Sequence, residues 1–188
     1  TTNAVTFDVH AAPLAAADLR RANISLDTLR ADRFLELTRR PDLDRVLAGI
    51  DAALAHGLTP LKLNAVVMKG VNDDEVVDLA AFGRTKGVTV RFIEFMPLDA
   101  SGAWDREAVV SQDEIVAAID AVFPVEAVPR GSAPATEWRY RDGQGSIGVI
   151  PSVTAPFCGD CDRIRLTSDG KPRTCLFATT GPDLGDPR

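Results

Sequence analysis

The chain has 188 residues, 45% of them hydrophobic and 26% charged, with a net charge of −6 at neutral pH. That balance describes one soluble globular domain, or a domain with a small appendage, long enough to bury a core. It excludes general affinity for nucleic acid, and the absence of any long apolar run or secretory pattern argues against a membrane span or export. An odd count of three cysteines without a signal points to a reducing compartment, with the cytoplasm as the expected location.

The chain opens on Thr1 without a Met and closes on Pro187-Arg188 with no recognisable cap, so both ends are expected to be cut. Residues 5–7 read as strand-like, 11–19 as a short Ala/Leu-rich helix, 22–27 as a strand and 32–39 as a second helix. Leu43, Val46, Leu47, Ile50, Ala53 and Leu54 then follow the spacing of an amphipathic helix, with Pro41 near its start and Gly57 just past its end. Residues 60–68 form a strand rich in Leu and Val. Asn72 is expected to cap the next helix, with Glu75 as its capping-box partner and Gly87 as the residue after its end. Residues 88–96 make a third strand.

Strand and helix thus alternate at the pace of βα units, which predicts a parallel sheet with helical crossovers. The apolar strands predict burial on both faces. Residues 99–110 read as loop, after which Ser111 and Glu114 form a capping box for a helix over 113–123 that Pro124 stops. Beyond Val125 the period changes to short strands at 137–141 and 146–150, joined by a turn at 142–145. The expected organisation is a βα part over residues 1–100 and a mixed α+β extension over 101–188.

That extension holds every cysteine of the chain, as Cys158-Gly159-Asp160-Cys161 with Cys175 further on. The three can meet only if the chain between them folds back. Ser168-Asp169-Gly170-Lys171 supplies a turn between strand-like runs at 164–167 and 174–177. Three thiolates are one short of closing a structural zinc site or an ordinary iron–sulfur cluster, so such a centre keeps one metal position open. Arg163 and Arg165, alternating beside it, would suit an anionic ligand there. Three other readings stay open on spacing alone. These are inert buried cysteines, a thiol redox pair, and zinc completed by Asp160, Asp162, His10 or His56.

Polar residues also interrupt the strands near their carboxyl ends, where ligands of parallel sheets collect. Asn23, Ser25 and Asp27 lie on the first, Lys62 and Asn64 share a face of the second, and Glu94 and Met96 share a face of the third. A buried lysine needs a partner, so an ion pair between Lys62 and Glu94 is the structural alternative to a ligand contact. Likewise Ser25 could bond nearby backbone and Met96 could pack in the core.

Taken together, Thr1-Thr2-Asn3, the segment 20–27, Leu61-Lys62-Leu63-Asn64, the segment 91–98 and the segment 156–167 resemble the molybdenum cofactor biosynthesis protein A family, the radical SAM GTP 3′,8-cyclases. The resemblance runs in order along almost the whole chain. It implies the C-terminal part of an incomplete radical SAM (β/α) TIM-type barrel, followed by a mixed extension carrying a 4Fe-4S cluster on Cys158, Cys161 and Cys175. By the same resemblance GTP is held by Lys62 and Arg163-Ile164-Arg165, and S-adenosylmethionine by Thr1, Ser25 and Met96. The implied reaction converts GTP to (8S)-3′,8-cyclo-7,8-dihydroguanosine 5′-triphosphate, with cyclic pyranopterin monophosphate synthase acting downstream; a homodimer is compatible with it.

Two departures from the family pattern stand out. No CxxxCxxC motif for a second, N-terminal 4Fe-4S cluster that cleaves S-adenosylmethionine is present, and Asn3-Ala4 replaces Asn-Gly at a turn. The chain by itself is therefore expected to keep the GTP-holding half of the site and to be inactive in cyclisation. The competing expectations are a non-enzymatic metal- and nucleotide-binding module and a non-functional remnant.

Overall fold

A computed structural model describes residues 1–98, 104–131, 133–178 and 180–181, without the side chain of Asp160. The expected loop at 99–103, the zinc alternative through Asp160 and the terminal residues 182–188 lie outside what is described. Eight strands and five helices follow in chain order among those residues: α1 (Phe7–Ala16), β1 (Ala22–Ser25), α2 (Ala31–Thr38), α3 (Leu43–Ala55), β2 (Leu61–Val67), α4 (Val76–Lys86), β3 (Thr89–Glu94), α5 (Gln112–Asp120), β4 (Val125–Val128), β5 (Thr136–Tyr140), β6 (Ser146–Ile150), β7 (Arg165–Leu166) and β8 (Pro172–Arg173). Six strands form one mixed, mostly parallel sheet in the order β1-β2-β3-β6-β5-β4. The pairs β1–β2, β2–β3 and β3–β6 are parallel, and β5 runs antiparallel to both β6 and β4. This α/β arrangement agrees with the βα rhythm of the sequence.

The expected burial of both sheet faces is not met. On β2, Leu61, Leu63, Ala65 and Val67 are buried while Lys62, Asn64 and Val66 between them are half-buried. On β3, Val90, Phe92 and Glu94 are buried and Thr89, Arg91 and Ile93 are half-buried. One face therefore packs under helices and the other stays open. The helix side supplies the stability, because fully burying each Leu, Val or Phe contributes roughly 1.5–3 kcal/mol. Helix α3 lays Leu43, Val46, Gly49, Ile50 and Ala53 into that core, and α4 adds Val76, Leu79, Ala80 and Gly83. Gly83 lets α4 approach the sheet closely, since a Cβ there would stand 2.6 Å from Val90 Cγ2.

Several local expectations are also corrected. Residues 5–7 are no strand; Thr2 makes an isolated parallel bridge to Ile24, and Phe7 already opens α1. Asn72 does precede a helical stretch, a 3-10 turn at Asp73–Glu75 that runs into α4, but its side chain makes no capping hydrogen bond. Its amide instead donates to Asp27 O and Val66 O and accepts from Met68 N–H, each at 2.8 Å, tying the β1 and β2 ends together. Glu75 is likewise withdrawn from any capping box to serve a buried cluster with Thr28, Leu29 and Arg33. By contrast the Ser111–Glu114 capping box is present, and Gly87 closes α4 in the left-handed region at φ +68°. Strand β4 carried no sequence signal beyond the change of period at Val125; its pairing with β5 creates it.

Candidate functional site

The segment after β6 loops back over the sheet. Thr154, Pro156 and Phe157 lead to a 3-10 turn at Cys158–Asp160, and Cys161 follows. Strands β7 and β8 then form an antiparallel hairpin with Arg165 opposite Arg173. Its turn is closed by Thr167 N–H donating to Lys171 O and Gly170 N–H donating to Thr167 O, both at 3.0 Å, with Gly170 at φ +80°. Only glycine takes that conformation without a Cβ penalty. The expected reversal is present, with its second strand at Pro172–Arg173 instead of 174–177. It returns Cys175 to the cavity that Cys158 and Cys161 also line.

A cavity of about 460 Å³ opens beyond the carboxyl ends of β3 and β6, lined by Cys158, Cys161, Cys175, Arg163, Arg165 and Met96, with Phe157, Leu176 and Phe177 among its apolar walls. Ile164, between the two arginines, is 76% exposed and is not part of the cavity wall. Arg163 holds its guanidinium over the Phe157 ring at 5.1 Å from the centroid. The backbone N–H and guanidinium of Arg163 beside Cys161 hold its thiol below the usual thiol range, favouring the thiolate. Arg165 buries Nη1 without a hydrogen-bond partner, a costly state for a charged donor. Among the described residues no three His, Cys, Asp or Glu side chains are gathered to hold a metal ion. Three thiols and two guanidiniums nevertheless border one cavity, a donor set with sulfur for a metal group and cations for an anion.

The other expected site residues lie elsewhere. Lys62, half-buried, sits on the open face of β2, and exposed Ser25 ends β1, two strands from β3. Thr1 is exposed beside the Thr2–Ile24 bridge. Neither the Lys62–Glu94 ion pair nor the shared face of Glu94 and Met96 is formed. Lys62 faces the open side, while Glu94 is fully buried beneath the helix side and Met96 lies past the strand end against the cavity. Two contributors went unread in the sequence. Phe157 is the aromatic platform for Arg163. Arg91, on the open face, donates through Nε to Asn64 Oδ1 at 2.9 Å and through Nη2 to Asn23 Oδ1 at 2.8 Å, with burial pulling its pKa down. Its alternation with buried Val90 and Phe92 was the available signal.

Fold and cavity together define an α/β protein whose candidate ligand site joins thiols and guanidiniums at the carboxyl end of parallel strands. The Molybdenum Cofactor Synthesis C family model matches residues 88–187, and the chain belongs to that family. The Radical SAM superfamily model matches residues 1–83. Among similar proteins, the GTP 3′,8-cyclase of Corynebacterium glutamicum strain R is 50% identical over 99% of this chain and 51% of its own length. That of Streptomyces coelicolor is 50% identical over 98% of this chain and 55% of its own, and that of Geobacter sulfurreducens 46% over 98% and 57%. The chain thus spans about half the length of the curated relatives it matches.

Proposed function

We propose that this chain carries the substrate-holding half of a GTP 3′,8-cyclase site, acting in molybdenum cofactor biosynthesis. Cys158, Cys161 and Cys175 would hold a 4Fe-4S cluster, which when bound supplies an iron with a free coordination position for the guanine base. Arg163 and Arg165 bind the phosphates, with Ile164 as the backbone link between them, and Lys62 adds a cation from the open sheet face. Thr1, Ser25 and Met96 line the approach for S-adenosylmethionine. The observation that carries this reading is the buried, unpartnered Nη1 of Arg165 on a cavity bordered by three thiols. A guanidinium in that state calls for an anion.

The open sheet face supports the wider reading. Asn23, Lys62, Asn64 and Arg91 are polar residues of the kind that face a ligand at the centre of a (β/α) barrel, here divided into a barrel part at residues 1–100 and an extension at 101–188. No helix among the described residues is long and apolar enough to cross a membrane, which accords with a cytoplasmic enzyme handing its product to cyclic pyranopterin monophosphate synthase. Homodimerisation belongs to the same reading.

Anaerobic reconstitution with iron and sulfide tests it. The expected outcome is a cubane absorption and paramagnetic signal that changes on adding GTP. Arg163→Ala or Arg165→Ala should each weaken GTP binding by roughly 1.5–3 kcal/mol in calorimetry, the scale of a hydrogen bond to a charged group. Tight zinc binding indifferent to GTP would overturn the assignment in favour of a plain metal module.

A further inference from the structure

Glu94 ends β3 with no solvent exposure, yet it does not line the cavity and pairs with no cation among the described residues. Its carboxyl group is consumed by one loop and one helix start. Oε2 accepts from the backbone N–H of Val153 and of Thr154, each at 2.8 Å, and Oε1 accepts from the Thr154 hydroxyl and from Gln112 N–H at 3.0 Å. Val153 and Thr154 stand between Ser152, which lines the cavity, and Pro156-Phe157-Cys158, which carry its first thiol and its aromatic wall. Two residues beyond Glu94 on its own strand, Met96 lines the same cavity. One buried side chain thus fixes the start of the cysteine segment against the strand end that forms the opposite wall.

We infer that Glu94 is a positioning residue for the thiol–arginine cavity, acting through Val153 and Thr154 to set where Cys158 and Phe157 stand relative to Met96 and the β7–β8 hairpin. This rests on the proposed function only for what the cavity holds; the placement itself is a property of this chain. The isosteric amide cannot substitute. The acceptor sites of Glu94 face four donors, so a Gln there turns its NH₂ toward at least one N–H or O–H and leaves that donor unsatisfied. Loss of a group that orients a metal ligand directly typically costs about 10–100-fold in affinity or activity, and Glu94, one step further out, is expected at the low end of that range.

Glu75 provides a control for mere destabilisation. It is also buried and clamps a loop, accepting from Thr28 Oγ1 at 2.6 Å and Leu29 N–H at 2.7 Å beside an ion pair with Arg33, on the α2 side of the molecule. The experiment compares wild type, Glu94→Gln, Thr154→Val, Thr154→Ser and Glu75→Gln well below their melting temperatures. Two readouts are taken: dibromobimane cross-linking of thiols across the cavity in metal-free protein, located by peptide mapping, and GTP affinity after reconstitution. Glu94→Gln and Thr154→Val should lower the Cys158–Cys175 cross-link several-fold and weaken GTP about tenfold. Thr154→Ser should restore both, and Glu75→Gln should lower the melting temperature while leaving both unchanged. Unchanged cross-linking in Glu94→Gln and Thr154→Val, or an equal loss in Glu75→Gln, overturns the inference. Should Glu94→Gln not fold, Thr154→Val against Thr154→Ser decides it. Failure of wild type to bind GTP would count against the proposed function alone, because the metal-free cross-linking still decides the role of Glu94.

Discussion

At Ala4 the backbone sits at φ +59°, in the left-handed region, with no exposed surface. Its carbonyl accepts from Phe7 N–H at 3.0 Å to start α1, and a Cβ added at Gly49 of α3 would lie 2.4 Å from that same oxygen and 3.2 Å from the Ala4 Cβ. A non-glycine residue with a Cβ in that region carries backbone strain. Ala4→Gly removes the dihedral penalty, so it should stabilise the chain by about 1 kcal/mol despite the lost methyl. A urea titration checks this, and a lower midpoint in the variant would show that the methyl packing outweighs the strain. Asp27 is a second site where one residue sets a measurable property. Burial raises its carboxyl above 3.8 while the Val66 N–H at 2.8 Å partly opposes the shift. With the folded value above the unfolded one, its favourable contribution is complete below the unfolded value and is lost as pH rises through the folded one. Asp27→Asn keeps an acceptor for Val66, so its melting temperature should gain on wild type from acid to neutral pH. Parallel pH profiles of the two proteins would contradict the assignment.

At the scale of elements, a short hairpin decides whether the thiols meet. Strands β7 and β8 are each two residues long and place Arg165 opposite Arg173, like charges that disfavour the pairing unless an anion lies near. The turn hydrogen bonds and Gly170 carry the reversal, and Arg173 Nη1 donates to Ala178 O at 2.7 Å to pin the segment after Cys175. Cys175→Ser should therefore leave the fold in place and remove cluster binding on reconstitution, measured as iron and sulfide per chain. Full retention would mean that the third thiol is no ligand. Elsewhere an element is held by a charged group inside an aromatic pocket. Arg84 of α4 lies 4.2 Å from the Tyr140 ring centroid and 4.7 Å from that of Phe123, and its Nη2 meets Asp142 at 2.6 Å. This sandwich fastens α4 to the antiparallel strands, beside the β3–β6 pairing that makes the sheet continuous from β1 to β4.

On the scale of the whole molecule, the sheet keeps one face under helices and presents Asn23, Ser25, Lys62, Asn64 and Arg91 on the other. Every cysteine of these 188 residues borders one cavity, and the proposed function assigns all three to the substrate-side cluster, leaving no thiols here for one that cleaves S-adenosylmethionine. Supplying S-adenosylmethionine and a strong reductant to the 188-residue chain should yield no 5′-deoxyadenosine by chromatography, and its formation would refute this division of roles.

Periodicity, capping residues and the CxxC–arginine segment made the βα order, α3, α5 and the hairpin reversal legible in the sequence, because each is set by neighbours within a few residues. Spacing alone left Asn72 and Glu75 as cap residues and Glu94 as a partner for Lys62. Strand alternation sends Lys62 and Glu94 to opposite faces, donors from distant segments claim Glu75 and Glu94, and the carbonyls of Asp27 and Val66 take the amide of Asn72. Which face of the sheet stays open, where Phe157 stacks and what Glu94 holds were decided only by tertiary structure. They depend on backbone donors far apart in the chain, brought together when the helices cover one side of the sheet.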